Sequence, residues 1–241
     1  MPKKIIGFLL GGMLMASNTY AGTGTILSSS YYLRNFYSTN RDARTSSKRK
    51  EMDNHTLSLA DGFALRRAIK QLGGSDFNDD NDTNIRSSVK AFIETYNNTL
   101  SSTSASSDHN LERNMKQLKS ITSEYSDQLD KIGITVNEDG TMTSRDALFS
   151  SASLDKFKDL FSSDCDFMQR ASACAKRIQR RSDALALATK NQELQKIAAD
   201  KAAGNVTDST DTTAVAQIVS QSVDLDTLLN TGIGQNVNIT L

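Results

Sequence analysis

The sequence predicts a mainly α-helical protein, either an elongated helical bundle or a coiled-coil-like hairpin, with one small β-hairpin. The apolar fraction is only 37% and the mean hydropathy is −0.44. These values suit long helices that each bury one stripe better than they suit a single thick core. The only proline is Pro2, so no later helix is interrupted by a residue that costs about 3 kcal/mol inside a helix.

The first 21 residues have the order that is typical of a secretory signal peptide. Lys3 and Lys4 precede an apolar run at residues 5–16, and the small residue Ala21 offers a cleavage site. The run is shorter than the ~20 residues of a transmembrane helix, so we expect no membrane span. The alternative is a glycine-rich apolar terminus that stays mobile until it packs in an assembly.

Residues 22–56 are predicted to be poorly ordered, because they are rich in Ser, Thr, Tyr and Arg and show no sustained period. Some helix is expected only near residues 31–37. The first well-defined helix is predicted at residues 57–72, where small and apolar residues mark one face. Gly73 and the glycine after it end that helix.

The acidic segment at residues 76–84 invites comparison with the calcium-binding EF-hand loop. Counted from Asp80, position 6 is Ile85 where the loop requires glycine, and position 12 is Ala91 where it requires glutamate. The mismatch argues against an EF-hand. We interpret the segment as a linker that caps the next helix, and we expect neither a metal nor a cofactor.

The strongest periodic signal follows a second helix, at residues 85–100, and a Ser/Thr-rich break. Asp108 is placed to cap a long helix, and apolar residues recur behind it at steps of three and four. This seam packs either within the monomer or against a partner helix. The candidate partner seam consists of Leu111, Met115, Leu118, Ile121, Tyr125 and Leu129.

A small β-hairpin is predicted at residues 134–143. Gly133 can end the preceding helix in a left-handed conformation. A short β-prone run follows, and Asp139 with Gly140 forms a turn signal whose glycine can supply a positive φ. Gly133, Asp139 and Gly140 are therefore the predicted structural turn residues.

The sequence predicts more helix beyond the hairpin. Ser144 or Asp146 can cap a helix that runs towards Phe161, and residues 167–203 favour helix again until Gly204.

The domain organisation follows from these elements. Residues 57–203 form a helical domain that contains the hairpin. Residues 205–241 are predicted to form a polar hinge, an amphipathic helix at residues 215–229 and a mobile tail.

We expect neither a catalytic site nor a nucleic-acid-binding site. His55 and His109 lie outside any catalytic motif, and acids flank Cys165, which disfavours a thiolate. The formal net charge is +0, and the basic stretch at residues 41–50 contains no aromatic residue that could stack on a base. The sequence thus favours a protein that is not an enzyme.

Four sequence pieces between residues 85 and 161 suggest a family. In chain order they are Phe92-Ile93-Glu94-Thr95-Tyr96-Asn97, Leu129-Asp130-Lys131-Ile132-Gly133-Ile134, Asp139-Gly140-Thr141-Met142 followed by Asp146, and Leu160-Phe161. In this order and spacing they resemble the C-terminal region of the bacterial flagellar filament-capping protein, also called hook-associated protein 2.

The resemblance implies a structural or assembly protein at the cell surface or on the bacterial flagellum. Its partners would be flagellar axial proteins or further copies of the chain itself, including a homo-oligomer. The signal-like N-terminus favours an alternative, a secreted or surface-bound helical adhesion or scaffold module without a flagellar role. A cytoplasmic regulatory module requires that the N-terminal run is not a signal.

Overall fold

The structure, a computed structural model, describes residues 25–202, with side chains to residue 200. Within that range the protein is mainly α-helical with one small β-hairpin, and the predicted fold class is confirmed. The helices are α1 (Ser29–Phe36), α2 (Ser46–Arg49), α3 (Asn54–Gly73), α4 (Asp82–Ser104), α5 (His109–Glu124), α6 (Ser126–Asp130), α7 (Asp146–Ser151), α8 (Leu154–Phe161) and α9 (Asp166–Ala202).

The hairpin consists of strands β1 (Ile134–Val136) and β2 (Met142–Ser144). The strands pair antiparallel, with Ile134 opposite Ser144 and Val136 opposite Met142. Two short 3-10 turns, Arg41–Arg44 and Asp79–Asn81, complete the regular structure of the described residues.

One hydrophobic core joins the helices. Helix α3 packs against α4 and against α9, and α5 also packs against α9 and α4. Gly62 lies beside Gln179 and Gly73 beside Ser163, so α3 and α9 run antiparallel. Aromatic rings fill the end of the core near α8. The Phe92 and Phe161 rings lie 5.6 Å apart in an edge-on geometry that favours aromatic pairs.

Side-chain caps start two of the long helices. The Asp53 carboxylate accepts from the backbone N–H groups of His55 and Thr56, which places the start of α3 three residues before the predicted one. The Asp108 carboxylate accepts from Leu111 N at 2.9 Å, so the predicted cap of α5 is confirmed. Each cap satisfies a donor that the helix itself cannot pair.

The prediction that residues 22–56 are poorly ordered is wrong for the described part of that range. Helix α1, a 3-10 turn and helix α2 occupy it, and four large side chains are buried: Tyr32, Leu33, Phe36 and Tyr37. Only the expected helix near residues 31–37 is confirmed. Helices of eight and four residues are too short to display a period in the sequence. Their order comes from tertiary contacts, because α1 packs against α3 and α4 and Arg49 in α2 binds Asp61 in α3.

The seam helix is interrupted, whereas the sequence predicted one continuous helix. Tyr125, with φ −101° and ψ 9°, separates α5 from α6. Its ring lies 5.2 Å from that of Phe167, and its hydroxyl donates to Asp166 at 3.0 Å. Steps of three and four residues continue across the break, so the apolar period could not reveal it.

The helix predicted to run towards Phe161 is also divided. Ala152 and Ser153 are extended and separate α7 from α8. The Arg86 guanidinium donates to the backbone carbonyls of Phe149 and Ala152 near the end of α7. A side chain 63 residues away in sequence thus satisfies carbonyls that the helix leaves unpaired.

The acidic linker at residues 76–84 was predicted to cap the next helix, but it does not cap α4 directly. Asn81, the residue before α4, makes no side-chain capping bond. Asn78 instead accepts from Asn81 N at 3.1 Å and starts the short 3-10 turn, while Asp82 pairs with Arg86 inside the first turn of α4. The predictions for residues 1–21, for Gly204 and for residues 205–241 lie outside the described residues.

Candidate functional site

The predicted turn residues lie where the sequence placed them. Gly133 has φ +77° and Gly140 has φ +83°, the left-handed values that glycine adopts without strain. The loop is longer than a two-residue turn, because Asn137 N donates to Thr141 O at 2.8 Å and three residues, 138–140, lie between this hydrogen-bonded pair. Asp139 keeps its backbone at negative φ and uses its carboxylate, which accepts from Thr141 N at 2.9 Å.

Helix α4 holds the hairpin through two adjacent side chains. The Asn97 carboxamide donates to Met142 O at 2.8 Å and accepts from Met142 N at 2.9 Å. The Tyr96 hydroxyl donates to Gly140 O at 3.0 Å, and burial raises the pKa of that phenol to about 12. We name Tyr96, Asn97, Gly140 and Met142 the helix–hairpin clamp. The sequence singled out all four residues, but it did not predict these contacts.

The candidate partner seam is part of the protein's own core. Leu111, Leu118, Ile121 and Leu129 are at most 1% exposed. Met115 is buried as well, and Tyr125 is half-buried against Phe167. Helices α4 and α9 cover the seam, so its interpretation as a partner surface is wrong and the intramolecular alternative is correct.

A buried ion pair attaches the N-terminal segment to α3. The Arg49 guanidinium donates to both oxygens of Asp61, at 2.8 and 2.9 Å, and the Asp61 side chain is completely buried. The Tyr37 hydroxyl donates to Asp61 at 2.7 Å, and burial together with this carboxylate raises the tyrosine pKa. Sequence analysis missed this network, because twelve residues separate the charges and α2 does not follow a recognisable period.

Two further ion pairs connect α5 with α9. Arg181 binds the Asp108 carboxylate with a closest distance of 2.5 Å, and this bond lowers the pKa of Asp108 to about 2. Arg170 donates to both oxygens of Glu124, at 2.6 and 3.0 Å, and lowers the pKa of that carboxyl group. The N-cap of α5 is therefore also an ion-pair partner of α9.

An open groove of about 720 Å³ lies between α3 and the start of α9, and we name it the α3–α9 groove. Its lining combines apolar surface with groups that donate hydrogen bonds. The apolar members are Phe63, Ile69 and Met168, and the donors include Arg66, Arg67, Lys70, Gln169, Ser163 and Ser172.

The cations of the groove have no acidic partner among the described residues. Arg66 donates to the Gln179 carboxamide, and Arg67 donates to Phe36 O and to the hydroxyls of Ser38 and Thr39. Neither guanidinium forms an ion pair with a described residue. Burial lowers the pKa of both, and Arg180 lowers that of Arg66 further.

The positive surface continues along α9. Ser172 lines the groove, and Lys176 and Arg180 follow it at intervals of four residues, so the three share one helix face. Both cations are exposed, and neither makes an ion pair with a described residue. This arrangement can bind an acidic group that has apolar neighbours.

Comparison with protein-family models, curated proteins and solved structures gave no match. Within residues 25–202, no group of three or more His, Cys, Asp or Glu side chains is arranged to hold a metal ion. None of the helices in that range is long and apolar enough to span a bilayer.

The two cysteines are free. Cys174 is fully buried, and burial raises the pKa of its thiol. Cys165 is half-buried at the turn before α9. Neither thiol has a described histidine as a hydrogen-bonding partner of the kind that activates a nucleophile.

Proposed function

We propose that the chain is a non-enzymatic structural or assembly protein that associates with the bacterial flagellum and acts through helix-mediated protein contacts. The helix–hairpin clamp carries this proposal. It joins Asn97 to Met142 across 45 residues, and these two residues belong to different pieces of the sequence that resemble filament-capping proteins. Pieces that are weak individually thus belong to one packed unit.

The clamp supports the proposal because it explains why the sequence pieces occur together: α4 stabilises the hairpin. A two-stranded hairpin is marginally stable in water on its own. Both backbone groups of Met142 are bound by α4, and Ile134 and Met142 are fully buried. A structural protein would use such a rigid connection between its helices and the hairpin.

The surfaces that would serve partner contact lie outside the seam. Helix α9 continues for 16 residues beyond Ala186, the last buried residue among its described side chains, and exposes Leu187. The α3–α9 groove presents cations beside apolar side chains. Arg is enriched at protein–protein interfaces, and an amphipathic helix is a common occupant of a groove.

A secreted or surface-bound adhesion or scaffold module is the second candidate. The observation that favours it is the N-terminal order of Lys3, Lys4, an apolar run and Ala21, which is typical of a secretory signal. The same helical domain would then display its surfaces on the envelope or in the medium.

Fractionation of the native organism separates the two candidates. Filaments are sheared from the cells, purified and tested for the protein, whose first residues are then sequenced. An aflagellate strain of the same organism is the matched control. An intact chain that is enriched in sheared filaments and missing from the control preparation supports the flagellar proposal. A chain that begins at Gly22, in equal amounts from both strains, contradicts it and favours the second candidate.

A further inference from the structure

We propose that the α3–α9 groove and the adjoining cations of α9 bind the acidic segment at residues 215–229 of the same chain. This segment lies outside the described residues, and its sequence predicts an amphipathic helix. The proposal concerns a contact within the chain, so it is independent of any flagellar association.

Charge complementarity is the first argument. Residues 203–241 contain four aspartates, which are Asp208, Asp211, Asp224 and Asp226, and no Lys, Arg, Glu or His. Arg66, Lys176 and Arg180 carry the opposite charge. None of the three makes an ion pair with a described residue. An acidic segment would offset the repulsion between Arg66 and Arg180 that lowers the pKa of Arg66.

The apolar pattern is the second argument. Val215, Ile218, Leu225 and Leu229 recur at positions that fall on one face of a helix, and the acids Asp224 and Asp226 stand beside Leu225. The end of the groove beside Gln179 offers the matching combination of Phe63 and Arg66. Apolar contacts would supply affinity, and the charges would set the register.

The length of the connecting chain fits binding within one molecule. Arg180 lies 22 residues before Ala202, or roughly 33 Å along the helix axis. The 12 residues 203–214 have a root-mean-square span of about 20 Å as a flexible chain. A helix that starts at residue 215 and runs back along α9 advances about 15 Å by residue 225. Leu225 then lies level with Arg180, and Asp226, three residues before Leu229 and on the same helix face, is the acid that faces the cations of α9.

A single introduced tryptophan can report on this contact, because the chain contains none. Leu229→Trp in the full-length protein places the indole on the apolar face of the segment. We expect a blue-shifted emission maximum that does not depend on protein concentration. The double reversal Arg66→Glu with Arg180→Glu should shift the maximum to that of a solvent-exposed indole.

Two further variants make the test specific. Asp224→Lys with Asp226→Lys, added to the reversed groove, should restore the blue shift. The matched control reverses two exposed cations elsewhere, Arg113→Glu with Lys131→Glu, and should leave the maximum unchanged. Added NaCl should shift the emission of the unreversed protein to the red, because exposed charges are screened.

Each contrary outcome overturns the proposal. A solvent-exposed indole in the Leu229→Trp protein that keeps Arg66 and Arg180 shows that the segment does not dock. A blue shift that survives groove reversal shows that it docks elsewhere. A blue shift that grows with protein concentration assigns the contact to a second copy. If the reversed protein loses its helical circular dichroism, Asp224→Lys with Asp226→Lys in the protein that keeps Arg66 and Arg180 replaces it, and this variant should lose the blue shift.

Discussion

The Asn97 carboxamide occupies the open edge of the hairpin by pairing with both backbone groups of Met142. Its amide nitrogen donates at 2.8 Å and its oxygen accepts at 2.9 Å, which is the pattern that a neighbouring strand would offer. Strand β1 pairs with β2 on the other edge. Helix α4 thus prevents the exposure of an unpaired strand edge, a common starting point for aggregation.

Asn97→Ala tests the energetic weight of this contact. The variant leaves the donor and acceptor of the fully buried Met142 without partners, so the free energy of unfolding should fall by about 1–3 kcal/mol. Urea denaturation followed by circular dichroism measures the change. Asn191→Ala, at an exposed position on α9, is the control and should change stability by less than about 0.5 kcal/mol. Equal effects of the two variants would contradict the role of Asn97.

The two positive-φ glycines should differ in their tolerance of a side chain. A Cβ at Gly140 would meet the flexible Lys119 side chain at 2.8 Å, so Gly140→Ala should destabilise by about 1–2 kcal/mol through φ strain. A Cβ at Gly133 would lie 2.4 Å from Phe149 N and 2.9 Å from Leu148 C, and backbone atoms cannot move aside without distorting α7.

Gly133→Ala should therefore be more destabilising than Gly140→Ala, by at least about 2 kcal/mol, as measured by thermal and urea unfolding. The larger Gly140→Val should destabilise by about 1–3 kcal/mol. Gly74→Ala is the control, because Gly74 has φ −97° and its nearest neighbour atom would lie 3.4 Å from the added Cβ. A reversed order of the first two variants would refute this ranking.

Asp61→Asn should release the N-terminal segment from the helical domain. The change leaves the Arg49 guanidinium, only 16% exposed, without its counter-charge, and breaking one partner of a buried pair costs about 3–5 kcal/mol. Trypsin should then cut rapidly at the basic residues 41–50. Asp42→Asn, on the exposed surface of the same segment, should leave both stability and cleavage unchanged. Slow cleavage of the Asp61 variant would show that apolar packing alone holds the segment.

The Arg181–Asp108 pair predicts a defined acid dependence of stability. Asp108 has a folded-state pKa of about 2 against an ordinary value of 3.8, so the pair stabilises the fold above pH 3.8. This contribution is lost as the pH falls through 2. The difference in unfolding free energy between the wild type and Arg181→Gln should be constant near neutral pH and should shrink between pH 3.8 and 2.

Arg177→Gln is the matched control for that pH series. Arg177 lies one helical turn before Arg181 and donates to the neutral Gln117 at 2.9 Å. The difference in unfolding free energy between Arg177→Gln and the wild type should therefore not change between pH 3.8 and 2. A difference for Arg181→Gln that stays constant through this range would mean that Asp108 acts only as a helix cap.

The sequence by itself determined the features that depend on a few neighbouring residues. Asp108 as a cap, Gly133 as a helix end and Gly140 as the left-handed turn residue were predictable, because their physical causes lie within three or four positions. The helical class followed equally well from the apolar period and from the absence of internal proline.

Only the tertiary structure decided which element covers the apolar face of each helix. The seam behind Leu111 has the same period whether α9 or a partner covers it, so its burial within the monomer could not be predicted. The pairs Arg49–Asp61 and Asn97–Met142 join distant elements, and no local pattern encodes them. They form because burial of apolar surface brings the elements together, and the polar groups buried with them must then find partners.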